Sequence, residues 1–286
     1  DYGTCPFRFF ARHVLRLEDM SEPVEGLLAR QLGRAYHRVL ERVHRELKSR
    51  EAAAELGQSG ETDLQPAGAV SGEELPDLVD AVCNTVLDEM AVAGEIPKDV
   101  LWEFEKTEIR RRVMRLLRTE AVWNGKHPAQ PVMFERKFGI HGSPLVVGDV
   151  QLKGVIDRID LRDDGLVVID YKTGATPISH REAITGRNLQ LPIYLMAVRD
   201  VVWRGKRVAG GYYLHIYSCR KGSEFPGGDA EASVDAVIVR AASYVREYAG
   251  RARRGEFPVR PNGPCPPYCE FNAMCRIQSL KAASEG

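Results

Sequence analysis

Two short apolar runs, Leu152 to Leu161 and Leu166 to Tyr171, are joined by Arg162-Asp163-Asp164-Gly165, and this join constrains the chain more than any other feature. An Asp-Gly pair supplies the positive φ angles of a tight hairpin, so the two runs are expected to be antiparallel neighbours in a sheet. Strand side chains alternate faces. Asp170 and Lys172 therefore share one face, Tyr171 turns away, and Asp157 on the partner strand lies beside them. Two carboxylates and a lysine converging on one point make poor core material, because charges buried without neutralisation are heavily penalised.

The rest of the chain supplies helices for this hairpin to pack against. Apolar residues recur at three- and four-residue steps from Val24 to Leu47, and helical patterns return over Leu75 to Met90 and Val100 to Val122. Further strands are expected over Val132 to Phe138, Leu145 to Val150 and Ala209 to Ser218, with helices from Asn188 to Arg199 and from Val234 to Arg253. That order describes a mixed α/β domain. Residues 49–74, rich in Ala and Glu and then in Gly and Pro, read as a flexible insertion. The 40 basic and 40 acidic residues cancel, which argues against a basic coat over the whole surface but leaves local basic faces open. No apolar run approaches the ~18 residues that span a bilayer, so no membrane association is expected. The chain starts at Asp1 with neither Met nor a signal-peptide pattern, and the expectation is a domain cut from a longer polypeptide in a reducing, cytoplasmic compartment.

Hard oxygen ligands such as Asp157 and Asp170 suit Mg2+ or Mn2+, with Lys172 placed to orient water or to stabilise developing negative charge. Taken alone, Asp170 and Lys172 also fit a surface ion pair on an edge strand. His37 is polar within an otherwise apolar helix and is either a metal ligand or a surface histidine. Gln190 and Tyr194, four apart on a helix, face the same way and serve either the site or packing. Glu135 adds a third carboxylate, unless Arg136 or Lys137 accounts for the charge on that strand. Cys265, Cys269 and Cys275 fall within eleven residues, and Cys5 is the natural fourth thiol. Four thiolates suit zinc or an iron–sulfur cluster, with a disulfide or unrelated buried thiols as the plainer options. Cys83 and Cys219 sit in apolar patterns and read as packing residues. Arginines gather at Arg8, Arg12 and Arg16, at Arg110 to Arg112, Arg115 and Arg118, and at Arg251, Arg253 and Arg254. They fit either phosphate contacts or solvated helix faces. Phe7, Phe9, Phe10, Tyr212 and Tyr213 fit base stacking or core packing.

The order of these motifs resembles a known family. Gly154-Val155-Ile156-Asp157-Arg158-Ile159-Asp160, then Asp170-Tyr171-Lys172-Thr173-Gly174, then Gln190-Leu191-Pro192-Ile193-Tyr194 look like successive motifs of the RecB-type branch of the PD-(D/E)XK nuclease superfamily. Upstream, Gly33-Arg34-Ala35-Tyr36-His37 resembles the Gly-x-x-x-His of that branch. The resemblance implies an α/β restriction-endonuclease-like core, a central mixed sheet flanked by helices. It implies that His37, Asp157, Asp170 and the backbone carbonyl of Tyr171 bind Mg2+ or Mn2+, that Lys172 serves the attacking water, and that Gln190 and Tyr194 contact DNA or support the site. One early cysteine and a C-terminal triplet resemble the iron–sulfur nuclease domains of AddB-type helicase–nuclease subunits and of CRISPR-associated exonucleases. By that likeness a [4Fe-4S] cluster on Cys5, Cys265, Cys269 and Cys275 clasps residues 1–20 to residues 260–286 of a single nuclease domain, 1–286. The spacing departs from the usual Cys-x2-Cys-x5-Cys, since three residues separate Cys265 from Cys269. The function implied is that of a metal-dependent DNA exonuclease processing double-strand-break ends alongside a helicase–nuclease partner. The alternatives are a CRISPR-adaptation exonuclease and a non-catalytic scaffold that binds DNA or a helicase partner.

Overall fold

The computed structural model describes residues 1–17, 26–57, 74–125, 128–140, 142–174, 178–226, 233–263, 265, 269–272 and 274–275. A short helix α1 (Pro6–Phe9) runs into a π-helical turn, Phe10–Val14, and three longer helices follow: α2 (Ala29–Gly57), α3 (Glu74–Val92) and α4 (Trp102–Asn124). Next come β1 (Gln130–Phe138), a small hairpin of β2 (Leu145–Val147) and β3 (Val150–Leu152), and the main hairpin of β4 (Gly154–Arg162) and β5 (Gly165–Lys172). After α5 (His180–Ile184), α6 (Gln190–Ala197) continues as a π-helical segment, Val198–Val202, and β6 (Val208–His215), β7 (Arg220–Phe225) and α7 (Val234–Arg253) complete the set.

The five-stranded sheet has the order β1-β4-β5-β6-β7. β4 and β5 are antiparallel, as the Asp-Gly turn requires, whereas β5 and β6 are parallel, which makes the sheet mixed. Helices cover both faces. Val167, Ile169 and Tyr171 of β5 pack with Tyr36, Val39 and Leu40 of α2 and with the apolar faces of α3 and α4. Leu166 and Val168, pointing the other way, pack with Leu191 and Leu195 of α6 and Val237 and Ala241 of α7. Cys83 and Cys219 are buried in the first of these cores, as expected of packing residues.

Several elements differ from their expected bounds for identifiable reasons. The helix expected to stop at Leu47 runs to Gly57, so residues 49–57 are not loop; Ala and Glu are among the strongest helix formers, and the Glu51-Ala-Ala-Ala-Glu55 run extends α2. Residues 58–73, the remainder of that insertion apart from Glu74, lie outside the described residues. The strand expected over Leu145 to Val150 is broken at Gly148, whose φ of +65° turns the chain into β3. β6 ends at His215 rather than Ser218. β7 escaped the strand pattern because Arg220-Lys221-Gly222-Ser223-Glu224 is a solvated edge, charged as edge strands commonly are. α5 follows a capping box, Ser179-x-x-Glu182, in which the glutamate accepts the Ser179 N–H at 3.0 Å.

Candidate active site

Sheet register aligns three carboxylates. Phe134 pairs with Arg158 and Arg136 with Ile156, so Glu135 faces Asp157, and Arg158 pairs with Ile169, so the next step puts Asp157 beside Asp170. At that step a side chain replaces the ladder. Asp157 Oδ2 accepts the backbone N–H of Tyr171 at 2.8 Å, one step beyond the last β4–β5 pair, Arg158 with Ile169. Glu135 is held at a φ of +44°, a conformation few residues other than glycine adopt and one that tends to mark functional positions.

α2 crosses this end of the sheet and delivers His37. Its Nδ1 lies 3.3 Å from Asp157 Oδ1 and 3.8 Å from Glu135 Oε1. Among the described residues, His37, Glu135 and Asp157 are the set whose ligand atoms all fall within 4.8 Å of one another. Burial works to lower the His37 pKa, but hydrogen bonds with Asp157 and Glu135 outweigh it and push the imidazole up to about 10. Asp170 is fully buried; neither of its oxygens has a hydrogen-bond partner of sound geometry, although Oδ2 touches Lys172 Nζ as an ion pair. Burial, then the charge of Asp157, raises Asp170 to about 7 against the opposing pull of Lys172. A buried carboxylate left with idle acceptors, next to an imidazole and two more carboxylates, fits a hard divalent cation by donor chemistry.

Lys172 is fixed from a second direction. Its Nζ donates to Gln190 Oε1 at 2.8 Å, and Gln190 Nε2 lies 3.1 Å from the Tyr194 hydroxyl. The Tyr194 ring meets Phe138 edge-on, and Gly154 makes room: a Cβ there would come within 2.8 Å of the Phe138 ring and 3.5 Å of Tyr194. Tyr194 therefore both packs and reaches the site. A groove of about 780 Å3 opens over the cluster, with Arg30, Gly33, Arg34, His37, Arg38 and Arg45 of α2 on one wall and Glu135, Lys137, Tyr171 and Lys172 on the other.

Beneath the site lies a second charged cluster that the sequence did not reveal. Arg158 is 2% exposed; it makes paired bonds to Asp160 at 2.6 and 2.7 Å and reaches Glu120 of α4 at 2.7 Å, His44 of α2 at 3.0 Å and the Tyr171 hydroxyl at 3.2 Å. Burial outweighs the guanidinium and raises Glu120, while burial and then the Arg158 charge hold His44 well below its usual range. His44 thus stays neutral, stacked on Phe134. Tyr171 ties the two clusters together, since its N–H binds Asp157 and its hydroxyl binds Arg158.

The chain ends meet away from the groove. Asn262 N–H donates to Thr4 O at 2.9 Å, the Tyr2 hydroxyl to Glu256 O at 2.6 Å, and Phe9 and Phe10 stack on Phe257. Arg8 and Arg12 pair with Glu270, so these two, expected as candidate phosphate contacts, instead join the ends. Cys5 is buried before α1, Cys269 and Cys275 are half-buried, and Cys265 is exposed. Most of the other arginines singled out also have acidic partners: Arg110 with Asp80, Arg111 and Arg112 with Glu108, Arg253 with Asp149, and Arg251 and Arg254 with Glu256. Arg115 and Arg118 line a separate cleft on α4. Tyr212 and Tyr213 are buried, which favours packing over base stacking.

A family model described as the PD-(D/E)XK nuclease superfamily matches residues 1–276. Proteins named as the B component of an ATP-dependent helicase/deoxyribonuclease are similar over most of the chain. The protein of Symbiobacterium thermophilum is 32% identical over 233 residues, 75% of this chain and 18% of its own length. That of Moorella thermoacetica is 30% identical over 70% of this chain and 17% of its own length, and that of Desulforudis audaxviator 30% identical over 76% and 18%. The chain thus spans less than a fifth of the length of these relatives.

Proposed function

The chain belongs to the PD-(D/E)XK nuclease superfamily, and on that premise we propose that it is the nuclease domain of a helicase–deoxyribonuclease subunit, an exonuclease that hydrolyses DNA phosphodiester bonds during double-strand-break processing. The observation that carries this reading is the row Glu135, Asp157 and Asp170 across three strands, faced by His37 and joined to a lysine that Gln190 holds in place. His37, Asp157 and Asp170, with Glu135 and the backbone carbonyl of Tyr171 as further donors, would hold Mg2+ or Mn2+. Such a cation, when bound, supplies Lewis acidity toward a phosphoryl oxygen and toward water.

The chain's own residues do the rest. Asp157 has one oxygen committed to the Tyr171 N–H, so the other is presented in a fixed direction toward His37. The Lys172 ammonium has three donors; Gln190 takes one, and the contact with Asp170 is an ion pair, which leaves donor capacity for the attacking water or a scissile-phosphate oxygen. Gln190 and Tyr194 act through Lys172 and are positioning residues. The intact set of His37, Asp157, Asp170, Lys172 and Gln190 favours an enzyme over a non-catalytic scaffold. The test is cleavage of end-labelled linear DNA with Mg2+ or Mn2+: wild type is expected to degrade it and Asp170→Ala to leave it intact, and equal activity in both, or none in either, refutes the assignment.

Three further parts of this reading rest on resemblance and relatives. The names of the relatives support a helicase–nuclease partner and DNA as substrate. A cytoplasmic location is part of the same proposal, and among the described residues no helix is long and apolar enough to cross a membrane. The contacts of residues 1–12 with residues 256–270 support a clasp in which Cys5, Cys265, Cys269 and Cys275 hold a [4Fe-4S] cluster. Iron and acid-labile sulfide in the purified protein, lost in Cys269→Ser, are expected; a zinc-bearing, iron-free protein would refute the cluster.

A further inference from the structure

The wall of α2 that faces the groove carries arginines at helical spacing on both sides of His37. Arg30 and Arg45, with Arg34 and Arg38 between them, lie fifteen helical steps apart, about 22 Å along the axis. At 3.4 Å per phosphate along one strand, that length matches about six backbone charges. Arg34 and Arg38, the two nearest His37, are bridged by one carboxylate. Glu95 Oε1 lies 2.9 Å from Arg38 and Oε2 lies 3.4 Å from Arg34. Glu95 reaches them from the turn after α3, where Gly94 adopts a φ of +70° and the Glu95 N–H donates to Met90 O. Its backbone carbonyl also accepts from Gln31 and Arg34 of α2. Two guanidinium groups sharing the two oxygens of one anion make the geometry with which arginines take a phosphate.

Resting on the nuclease reading above, we propose that Arg30, Arg34, Arg38 and Arg45 form a track for the phosphate backbone of one nucleic-acid strand, and that Glu95 is an internal stand-in for a phosphate, displaced from Arg34 and Arg38 when the strand binds. Arg34, Arg38 and Arg45 are about half exposed and Glu95 about a quarter, and Arg45 pairs with Glu41 one turn earlier at 2.8 Å, so the exchange involves surface ion pairs and needs no core movement. Glu95 sets an electrostatic threshold: short or weakly charged ligands do not displace it, and a continuous strand does. The arginine cluster on α4 has no part in this track.

The test is fluorescence anisotropy of a labelled single-stranded oligonucleotide, with Ca2+ in place of Mg2+ to suppress turnover, over a range of salt. Arg34→Ala/Arg38→Ala is expected to weaken binding about tenfold and to flatten the salt slope by about 1.4, which is ~0.7 for each of two phosphates. Glu95→Gln is expected to tighten binding about threefold at low salt, and Arg115→Ala/Arg118→Ala to bind as wild type, with melting curves checking that each variant is folded. An unchanged affinity and slope in the Arg34/Arg38 variant, or a loss confined to the Arg115/Arg118 variant, overturns the track. Unchanged or weaker binding by Glu95→Gln overturns the stand-in role. Cleavage is scored separately: a wild type that cleaves while the Arg34/Arg38 variant binds normally removes the track and leaves the nuclease, and arginine-dependent binding without cleavage does the reverse.

Discussion

The same stretch of β4, Asp157-Arg158-Ile159-Asp160, contributes to two buried charged clusters with opposite characters. Around Arg158 the charges are closed on themselves: Asp160 and Glu120 face the guanidinium, His44 and the Tyr171 hydroxyl share Nη1 with Glu120, and the cluster sits sealed under α2 and α4. Around Asp157 the charges are left open, with three carboxylates, one imidazole and a lysine at the mouth of a groove, and Asp170 without hydrogen-bond partners. Charge under burial is therefore not itself the mark of a site; the mark is a carboxylate such as Asp170 with neither oxygen hydrogen-bonded, whereas Glu120 of the closed cluster leaves only Oε2 unbonded, 3.7 Å from His44. The closed cluster also serves the open one, because it anchors the ring of Tyr171 while the backbone of that residue holds Asp157.

Breaking the closed cluster is expected to have the largest effect on folding. Arg158→Met leaves Asp160 and Glu120 buried without their cation and should cost about 3–5 kcal/mol, measured by urea denaturation. A loss below about 1 kcal/mol would mean that the cluster is not a structural tie. Breaking the open cluster should instead spare the fold and remove chemistry. Lys172→Met is expected to lower cleavage ~10²-fold or more at a smaller cost in stability than Arg158→Met, because Asp170, already raised to about 7, can take up a proton when its cation is lost, and Gln190→Ala, which only frees the lysine, should lower cleavage about tenfold. Equal losses of stability in the Arg158 and Lys172 variants would erase the distinction between the clusters.

The two clusters should also differ in their response to pH. The raised pKa of Asp170, about 7 in the fold against about 4 unfolded, means the folded state holds a proton that the unfolded chain has released. Metal-free stability should thus fall as pH rises from about 4 to about 7. His37, raised to about 10, stabilises fully below its unfolded value near 6.5, and that contribution is lost as pH climbs through about 10. Both protons compete with a cation, so Mn2+ affinity should rise with pH over the same range. Calorimetry that finds pH-independent Mn2+ binding would contradict this placement of the site.

Much of the open cluster was legible in the sequence, because a two-residue alternation and an Asp-Gly turn suffice to put Asp157, Asp170 and Lys172 together. Its neighbours were less so. Glu135 joins through strand register and a left-handed backbone that no local pattern announces, and His37 joins through the crossing of α2 over the sheet. The closed cluster was not legible because Glu120 is one of several charged residues along α4, and Asp160 and Arg158 look alike in sequence whether exposed or sealed. Arginine density misled for a related reason. Arg8, Arg12, Arg110 and Arg112 stand out in the sequence and are paired with acids away from the groove, whereas the row on α2, whose Arg34, Arg38 and Arg45 also have acidic partners, lines the groove and is diluted in sequence by the apolar positions of its own helix.

The contrast between an open and a closed cluster is tested most directly by melting wild type and Asp170→Asn at pH 8, with and without Mn2+. Removing a buried charge whose burial and repulsion by Asp157 outweigh its ion pair with Lys172 should raise the metal-free melting temperature, by roughly 2–4 °C for each kcal/mol relieved. Mn2+ should then raise the melting temperature of wild type and leave that of Asp170→Asn unmoved. A metal-free Asp170→Asn less stable than wild type, or an equal response of both proteins to Mn2+, would contradict the account.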